Sequence, residues 1–408
     1  MKVVLVNHSD TRGGASVVTL RLMQALRQAG VDASMLVTHK ATDSPYVHVA
    51  GPAWRSKAAF LAEHAEIFLR NGLSRANLFK ASIATCGLPL HRHPLVEQAD
   101  VVVLNWINQG MLSLKEISRI KAPVVWTMHD IWPMTGVCHH TGGCNRYMRS
   151  CGHCHLMHGG SSATDLSSHT WRRKLALYDR KPIHFIAVSS WLAEQCARSA
   201  LLRDRTVSII PNAFPVADFA GAPAYTRAQL GLPDNKRLIV MGAARIDDPI
   251  KGLPMAIEAL NTVATRTPDA MAVFFGAIRN PEALTGLRMP YVHLGPVSDG
   301  KRLQSIYAHS RCVLSSSHYE TLPGTLIEGM AAGCVPVAYD HGGQRDIITH
   351  GVTGYLARYP DTADLAAGIE SALTSDIAAA SLLADVDARF SADAIAQKYI
   401  NLFKQILS

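Results

Sequence analysis

The sequence predicts an α/β chain built from two doubly wound domains. Three observations predict it. Short apolar runs alternate with amphipathic stretches almost throughout, which argues for parallel sheets with helices on both faces. The runs are nearly continuous in Val, Ile and Leu, as expected of strands buried on both sides. The alternation also restarts at Lys236, after a connector with four prolines. The length of 408 residues leaves room for roughly two or three domains at ~100–200 residues each. With 48% hydrophobic and 18% charged residues, the composition excludes a disordered chain.

The first set of strand-like runs is 3–7 (VVLVN), 33–37 (ASMLV), 100–105 (DVVVLN), 124–129 (VVWTMH), 184–189 (HFIAVS) and 208–211 (SIIP). The second is 237–242 (RLIVMG), 272–276 (AVFFG), 292–295 (VHLG), 312–316 (CVLSS) and 335–339 (VPVAY). Helical periodicity falls at 16–29, 251–264 and 323–333, and residues 53–83 read as further helices. Pro211, Pro215, Pro223 and Pro233 mark 211–235 as the connector. The expected domains are therefore 1–212 and 213–390, with a helix over 391–408 that packs back on the first. In such a protein the cleft between domains is the default ligand site.

The net charge of +8 is uneven: residues 1–210 hold 24 basic and 13 acidic residues, a net +11, against −3 in the remainder. The first half is the candidate surface for an anionic partner. A membrane-spanning helix is excluded, since one needs ~20 mostly apolar residues and Val101–Leu114, the longest uncharged apolar-rich stretch, contains Asn105, Asn108 and Gln109. Asn7, His8, Ser9, Asp10 and Arg12 interrupt the first apolar run, so no signal-peptide core is expected and a cytoplasmic setting follows. There, a close group of cysteines reads first as a metal site.

Three segments could handle a phosphorylated ligand. Gly13-Gly14 follows the first strand and opens a helix, whose free N–H groups suit an anion; a plain tight turn has the same pattern. Arg245 and Lys251 follow the first strand of the second domain, where a guanidinium fork and a point charge could meet phosphates; two solvated cations are the alternative. The third segment is 316–337. Glu320 lies in a polar loop, Pro323-Gly324 starts a helix, Glu328 sits one turn inside it among Leu326, Ile327 and Met330, and Gly333 ends it. Free N–H groups at Gly324, Thr325 and Leu326 could receive a phosphate. Glu328, on so apolar a helix, suits ribose hydroxyls, or else is an exposed helix carboxylate.

The pair Glu320 and Glu328 resembles the E-x7-E motif of retaining glycosyltransferases of family 4. Gly13-Gly14, Arg245, Lys251-Gly252 and the Ile210-Pro211-Asn212 turn stand where that family has its corresponding features. Asn105-Trp106-Ile107-Asn108 and Thr127-Met128-His129-Asp130-Ile131-Trp132 are similar to its exopolysaccharide, colanic-acid-type branch. The resemblance implies the GT-B fold, two Rossmann-like domains facing across a cleft, with an acceptor side in 1–212 and a nucleotide-sugar side in 213–390. It implies Glu328 on the ribose, Glu320 at the donor sugar, Arg245, Lys251 and the N–H groups of Gly324, Thr325 and Leu326 on the diphosphate, and His129 near the transferred sugar. Thr321-Leu322-Pro323-Gly324 replaces the family's usual Gly-Phe-Gly. Asp346 follows Gly342-Gly343 where the family commonly has a Glu. The implied partners are a UDP- or GDP-sugar and a glycan or polyprenyl-diphosphate-linked acceptor, handled at the inner face of a membrane.

The chemistry needs a stabilised leaving diphosphate and a positioned oxocarbenium-like centre. Cations and a helix start can supply the first, so no cofactor is expected for catalysis and no metal-chelating donor site. Cys138, Cys144, Cys151 and Cys154, interleaved with His139, His140, His153 and His155 in loop 136–156, suit a structural tetrahedral zinc; disulfides and unlinked thiols remain alternatives. The stretch 53–83 mixes Trp54, Phe60, Phe68, Leu69, Leu73 and Phe79 with Arg and Lys, a surface that could rest on anionic lipid or be an ordinary solvated helix. The rivals to sugar transfer are a sugar-nucleotide 2-epimerase on the same fold and a basic nucleic-acid-binding protein; no stacking module supports the latter, and no nucleic acid is expected as a partner.

Overall fold

The computed structural model describes all 408 residues and divides them into two compact units: Met1–Pro211 with Ile395–Ser408, and Asn212–Ala394. The first unit holds β1 (Lys2–Val6), β2 (Asp32–Val37), β3 (Val47–Val49), β4 (Val101–Leu104), β5 (Val124–Met128), β6 (Ile183–Ala187) and β7 (Val207–Ile209). They form one parallel sheet in the order β3-β2-β1-β4-β5-β6-β7. Every residue of β4 and β5 is buried, which is why their sequences are apolar without alternation. The crossover helix Gly14–Gln28 covers the sheet with Leu22, Met23 and Leu26.

The last helix, Ala392–Leu407, returns to this unit from Ile395 onward. It buries Ile395, Tyr399 and Phe403, each worth ~1.5–3 kcal/mol for an apolar side chain of this size. The Tyr399 hydroxyl lies 2.9 Å from Thr127 Oγ1 of β5, so its polar end is satisfied inside the core.

The second unit holds β8 (Arg237–Arg245), β9 (Ala270–Ala277), β10 (Tyr291–His293), β11 (Cys312–Ser315), β12 (Val335–Tyr339) and β13 (Tyr355–Ala357), parallel in the order β10-β9-β8-β11-β12-β13. Each sheet winds both ways from its first strand, so its order reverses between β1 and β4 and between β8 and β11. Ligands of such sheets bind beyond the carboxyl ends of strands at that reversal.

The expected strands and helices lie within two residues of the observed ones, with instructive departures. β3 and β13 are edge strands that the sequence pattern does not announce. β8 runs past Gly242 to Arg245 through a bulge. Within 53–83 only Ala53–Arg70 is helical. Gly72 and Leu73 take left-handed backbone and end the helix, and Asn77 turns the chain again. The connector contains two four-residue helices, Val216–Phe219 and Arg227–Leu230. No helix is long and apolar enough to cross a membrane.

Candidate functional site

In the second unit the loops after β8 and β11 are stitched together. Gly242 is required in β8 because an added Cβ would sit 1.9 Å from the Phe275 ring. The bulge beyond it re-aims Arg245. The Arg245 guanidinium bonds Asp248 Oδ2 at 2.8 Å and approaches Asp247 Oδ1 at 3.5 Å. Asp247 is itself fixed by the backbone N–H groups of Arg279 and Asn280, both at 2.8 Å, and these lower its pKa. Arg245 is therefore a braced cation, not a swinging surface one. The direct succession Arg245-Ile246-Asp247-Asp248 carried that signal, and the sequence reading passed over it.

Lys251 ends the turn Pro249–Lys251, capped by Asp248. Gly252 follows at φ 65°, where a Cβ would lie 2.1 Å from the Ser316 carbonyl oxygen. Ser316 Oγ donates to the Lys251 carbonyl at 2.9 Å, and the His318 N–H donates to Ile250 O at 2.8 Å. These bonds place Lys251 Nζ 2.5 Å from Glu320 Oε1, which also accepts from Ser317 Oγ at 3.1 Å. Behind Glu320 packs the Gly342-Gly343 turn. Gly343 N–H donates to Glu320 O at 2.9 Å, and a Cβ on Gly343 would meet Thr321 O at 1.9 Å.

The helix Gly324–Ala331 starts after Pro323, whose side chain offers no cap. Leu326 N–H already bonds Pro323 O at 3.2 Å, so of the three expected N–H groups those of Gly324 and Thr325 are the first of the helix. Gly324 abuts the Phe214 ring, 2.7 Å from an added Cβ. Leu326, Ile327 and Met330 face the core, while Glu328 is half-buried. Its charge acts on Tyr307, a fully buried phenol whose pKa burial drives upward, with Glu328 adding to the shift.

An Asp-x-Asp triplet does occur, Asp385-Val386-Asp387. It lies in helix Ala379–Phe390, with Val386 in the core and Asp385 paired to Arg389 at 2.7 Å. Residues two apart on a helix do not share a face, so this triplet is no chelating pair.

In the first unit, Gly13 has φ 88° and Gly14 opens the helix; an added Cβ on either meets nothing within 4 Å. Their need for glycine is conformational at Gly13, and the space above both is open. Asn7 braces the loop through Ser9 O at 2.6 Å and Ser16 Oγ at 3.0 Å. His129 leaves the end of β5 with Nε2 3.0 Å from Asn105 Oδ1. Asn105 Nδ2 donates to Val103 O, which orients the amide and makes His129 Nε2 the donor. Burial pushes the His129 pKa down to about 4, against the opposing pull of Asp130.

The sequence reading did not foresee the network beside it. Asp130 Oδ2 lies 2.6 Å from His139 Nδ1 and 3.1 Å from Trp106 Nε1, and Oδ1 accepts from Trp132 N–H at 2.8 Å. Burial opposes the Asp130 charge, but His139 and these bonds outweigh it and its pKa is lowered. His139 Nε2 reaches Ser82 Oγ at 3.0 Å, so this histidine is turned toward Asp130 and Ser82.

Cys138, Cys144, Cys151 and Cys154 line one cavity with His155, while His153 is exposed. All are free thiols, and no three His, Cys, Asp or Glu side chains already stand at metal-ligating distances. Burial raises the Cys138 pKa to about 11 and that of Cys151 to about 12.

In the second unit the loops at the sheet's reversal carry Arg245, Lys251, Glu320 and a helix start, the position at which open parallel α/β sheets bind their ligands. The model of Glycosyltransferase Family 4 matches residues 12–218, and that of Glycosyl transferases group 1 matches residues 225–386. The chain belongs to glycosyltransferase family 4. It is 25% identical over 378 residues to the phosphatidyl-myo-inositol mannosyltransferase of Mycolicibacterium smegmatis, covering 90% of this chain and 83% of that one. It is 23% identical over 376 residues to the D-inositol 3-phosphate glycosyltransferase of Nocardia farcinica, covering 87% and 75%. Among solved structures, Anabaena HepE in complex with UDP and glucose superposes with TM-score 0.65 at 18% identity, over 99% of this chain and 100% of that one. Sucrose-phosphate synthase from Thermosynechococcus elongatus superposes with TM-score 0.69 at 18% identity, over 100% and 99%. The fold is thus the two-Rossmann-domain GT-B fold, and the protein is a glycosyltransferase that draws a sugar from a nucleotide-sugar donor.

Proposed function

We propose that the chain transfers a hexose from a UDP- or GDP-sugar, with retention of anomeric configuration and without a catalytic metal, to a lipid-linked or exopolysaccharide glycan. The observation that supports this reading is the joined pair of loops after β8 and β11: Lys251 pairs with Glu320, which shortly precedes helix Gly324–Ala331, and Arg245 is braced by Asp248 in the same β8 loop. Arg245, Lys251 and the N–H groups of Gly324 and Thr325 would hold the leaving diphosphate, where preorganised donors stabilise developing charge without reorganising. Glu328 would hold the ribose and Glu320 the donor sugar. Gly13 and Gly14 would leave room for a donor phosphate. His129, neutral at physiological pH and oriented by Asn105, would act as a hydrogen-bonding group at the transferred sugar rather than as a cation. Mannosyltransferase relatives named for a phosphatidyl-inositol acceptor support a lipid-linked acceptor here.

The acceptor would be met at the inner face of a membrane. The exposed side chains Trp54, Leu61, Leu69, Leu73 and Phe79 stand among the exposed cations Arg55, Lys57, Arg70, Arg75 and Lys80. An apolar surface rimmed by cations fits an anionic interface.

The test is incubation of the purified chain with a panel of UDP- and GDP-sugars, read by release of free sugar and by the anomeric configuration of the first product. One donor turned over with retention supports the reading. An inverted product overturns retention, and an epimerised donor without transfer overturns the whole assignment.

A further inference from the structure

The cysteines of loop 136–156 take no part in the sugar chemistry, yet the fold brings them to one place. Cys138, Cys144, Cys151 and Cys154 all line a cavity of about 20 Å³. A single water needs ~10–15 Å³, so the cavity accepts one atom-sized guest and no substrate. We propose that these four side chains bind one structural zinc ion as thiolates, and that this ion fixes the loop beside His129.

Three features beyond the clustering point to an ion. First, one sulfur already has a donor: Gly136 N–H donates to Cys151 Sγ at 3.2 Å. An outer hydrogen bond of this kind orients and stabilises a thiolate ligand. Second, the backbone is compressed to bring the cysteines in. A Cβ on Gly136 would lie 2.4 Å from Ser167 O and 3.0 Å from Cys151 Cβ, and one on Gly152, at φ 141°, would lie 2.8 Å from Ala163 O. Third, the site has a cation in its wall and a fixed frame: Arg146 lines the cavity, and Lys174 Nζ donates to the carbonyls of Trp132, Thr135 and Gly136, which ties down the chain just before Cys138. A zinc with four thiolates carries a net charge of −2, which Arg146 partly offsets.

Binding draws the four sulfurs toward the cavity centre, to about 2.3 Å from the metal. The four thiol protons pass to water as the ion enters. The consequence for the enzyme runs through Cys138. Its neighbour His139 holds Asp130 and Ser82, and Cys138 itself bridges to Ala81. Val137, Cys154, Leu156 and Met157 then bury against Ile67 and Ile83. An untied loop of this length and glycine content is mobile; the ion would hold it and the Asp130 network in place.

The experiment is elemental analysis of the full chain purified without a metal-affinity step. About one zinc per chain is expected. It should be lost from the Cys151→Ser/Cys154→Ser double variant and kept in Cys86→Ser, whose thiol lies outside the cavity. Should the double variant misfold, the wild-type chain reconstituted with cobalt(II) gives an independent readout. A thiolate-to-cobalt charge-transfer band with intense visible bands supports a tetrahedral sulfur site. Metal-free protein with four titratable thiols at these positions, peptide mapping that finds them in disulfides, or a cobalt spectrum without sulfur charge transfer overturns the proposal. None of these readouts depends on sugar transfer, so the zinc and the donor chemistry stand or fall separately.

Discussion

Lys251 Nζ contacts Glu320 Oε1 at 2.5 Å across 69 residues of sequence, and this ion pair closes the ring of bonds between the loops after β8 and β11. Both side chains are mostly buried, 28% and 19% exposed. The backbone beneath them is fixed independently, by Gly252 against Ser316 and by Gly343 against Glu320. The ammonium is a compact charge on a flexible stem. It can therefore exchange a carboxylate for a phosphate without moving either loop.

That exchange predicts opposite effects from the two partners. Lys251→Ala should weaken UDP or GDP binding by roughly ten- to a hundredfold, as expected for charged hydrogen bonds worth ~1.5–3 kcal/mol. It should weaken the nucleoside monophosphate much less. Glu320→Gln removes the competing charge and should tighten the diphosphate by about two- to fivefold, the scale of a partly solvated pair. Calorimetric titration reads both. Equal losses for mono- and diphosphate in Lys251→Ala would remove its phosphate role.

Glu328 and Glu320 should separate in a second way. Glu328→Ala leaves the ribose hydroxyls without a charged acceptor and should lower donor affinity by about 1.5–3 kcal/mol. Glu320→Ala should lower turnover more than donor affinity, since its partner is the reacting sugar. Full donor affinity and activity in Glu328→Ala would show that the E-x7-E assignment is wrong.

How much of this was legible follows from what each residue's neighbours are. The helix carrying Glu328 was readable because Pro323-Gly324 starts it, Gly333 ends it and its apolar residues share a face. The spacing of Glu320 and Glu328 survives any detail of packing. The Lys251–Glu320 pair was not readable, because only the adjacency of β8 and β11 brings the two loops together. The Asp130–His139 bond was hidden for another reason. His139 sits among cysteines, and by chain proximity it reads as a spare metal ligand, whereas its ring turns away to Asp130 and Ser82. Glu63 shows the same limit: it reads as a solvated helix carboxylate, yet it is buried and accepts from the N–H groups of Ile83, Ala84 and Gly110 at 2.8–2.9 Å.

The imidazoles of His8 and His129 set a pH dependence of stability. Burial pushes each down to about 4, helped at His8 by His39 and Arg12. The unfolded chain, with histidines near ~6.5, binds more protons between those values. Stability therefore rises with pH across about pH 4 to 6.5 and is level above it. Each group should remove about 2 kcal/mol between pH 7 and pH 5. Denaturant midpoints at the two pH values check this: His8→Gln should be less acid-sensitive than the wild type by about that amount. Identical acid sensitivity would mean that His8 is not held neutral by the fold.

The membrane reading gives the last prediction. Residues 1–210 carry a net +11, and the helix Ala53–Arg70 with the segment after it exposes Trp54, Leu61, Leu69, Leu73 and Phe79. Trp54 is 67% and Phe79 68% exposed, so neither serves the core. The helix is nonetheless firmly docked through Glu63, so its outer face can be altered without releasing it. Charge alone would bring the chain to anionic vesicles and would be screened over ~8 Å at physiological ionic strength. Apolar insertion would add a part that salt does not remove. Sedimentation should therefore show binding to phosphatidylserine-containing vesicles that falls with salt but stays above zero. Trp54→Ala/Phe79→Ala should abolish the salt-resistant part and leave turnover of soluble acceptors unchanged. Binding to neutral and anionic vesicles alike would remove the electrostatic role, and a double variant that sediments like the wild type would remove the apolar one.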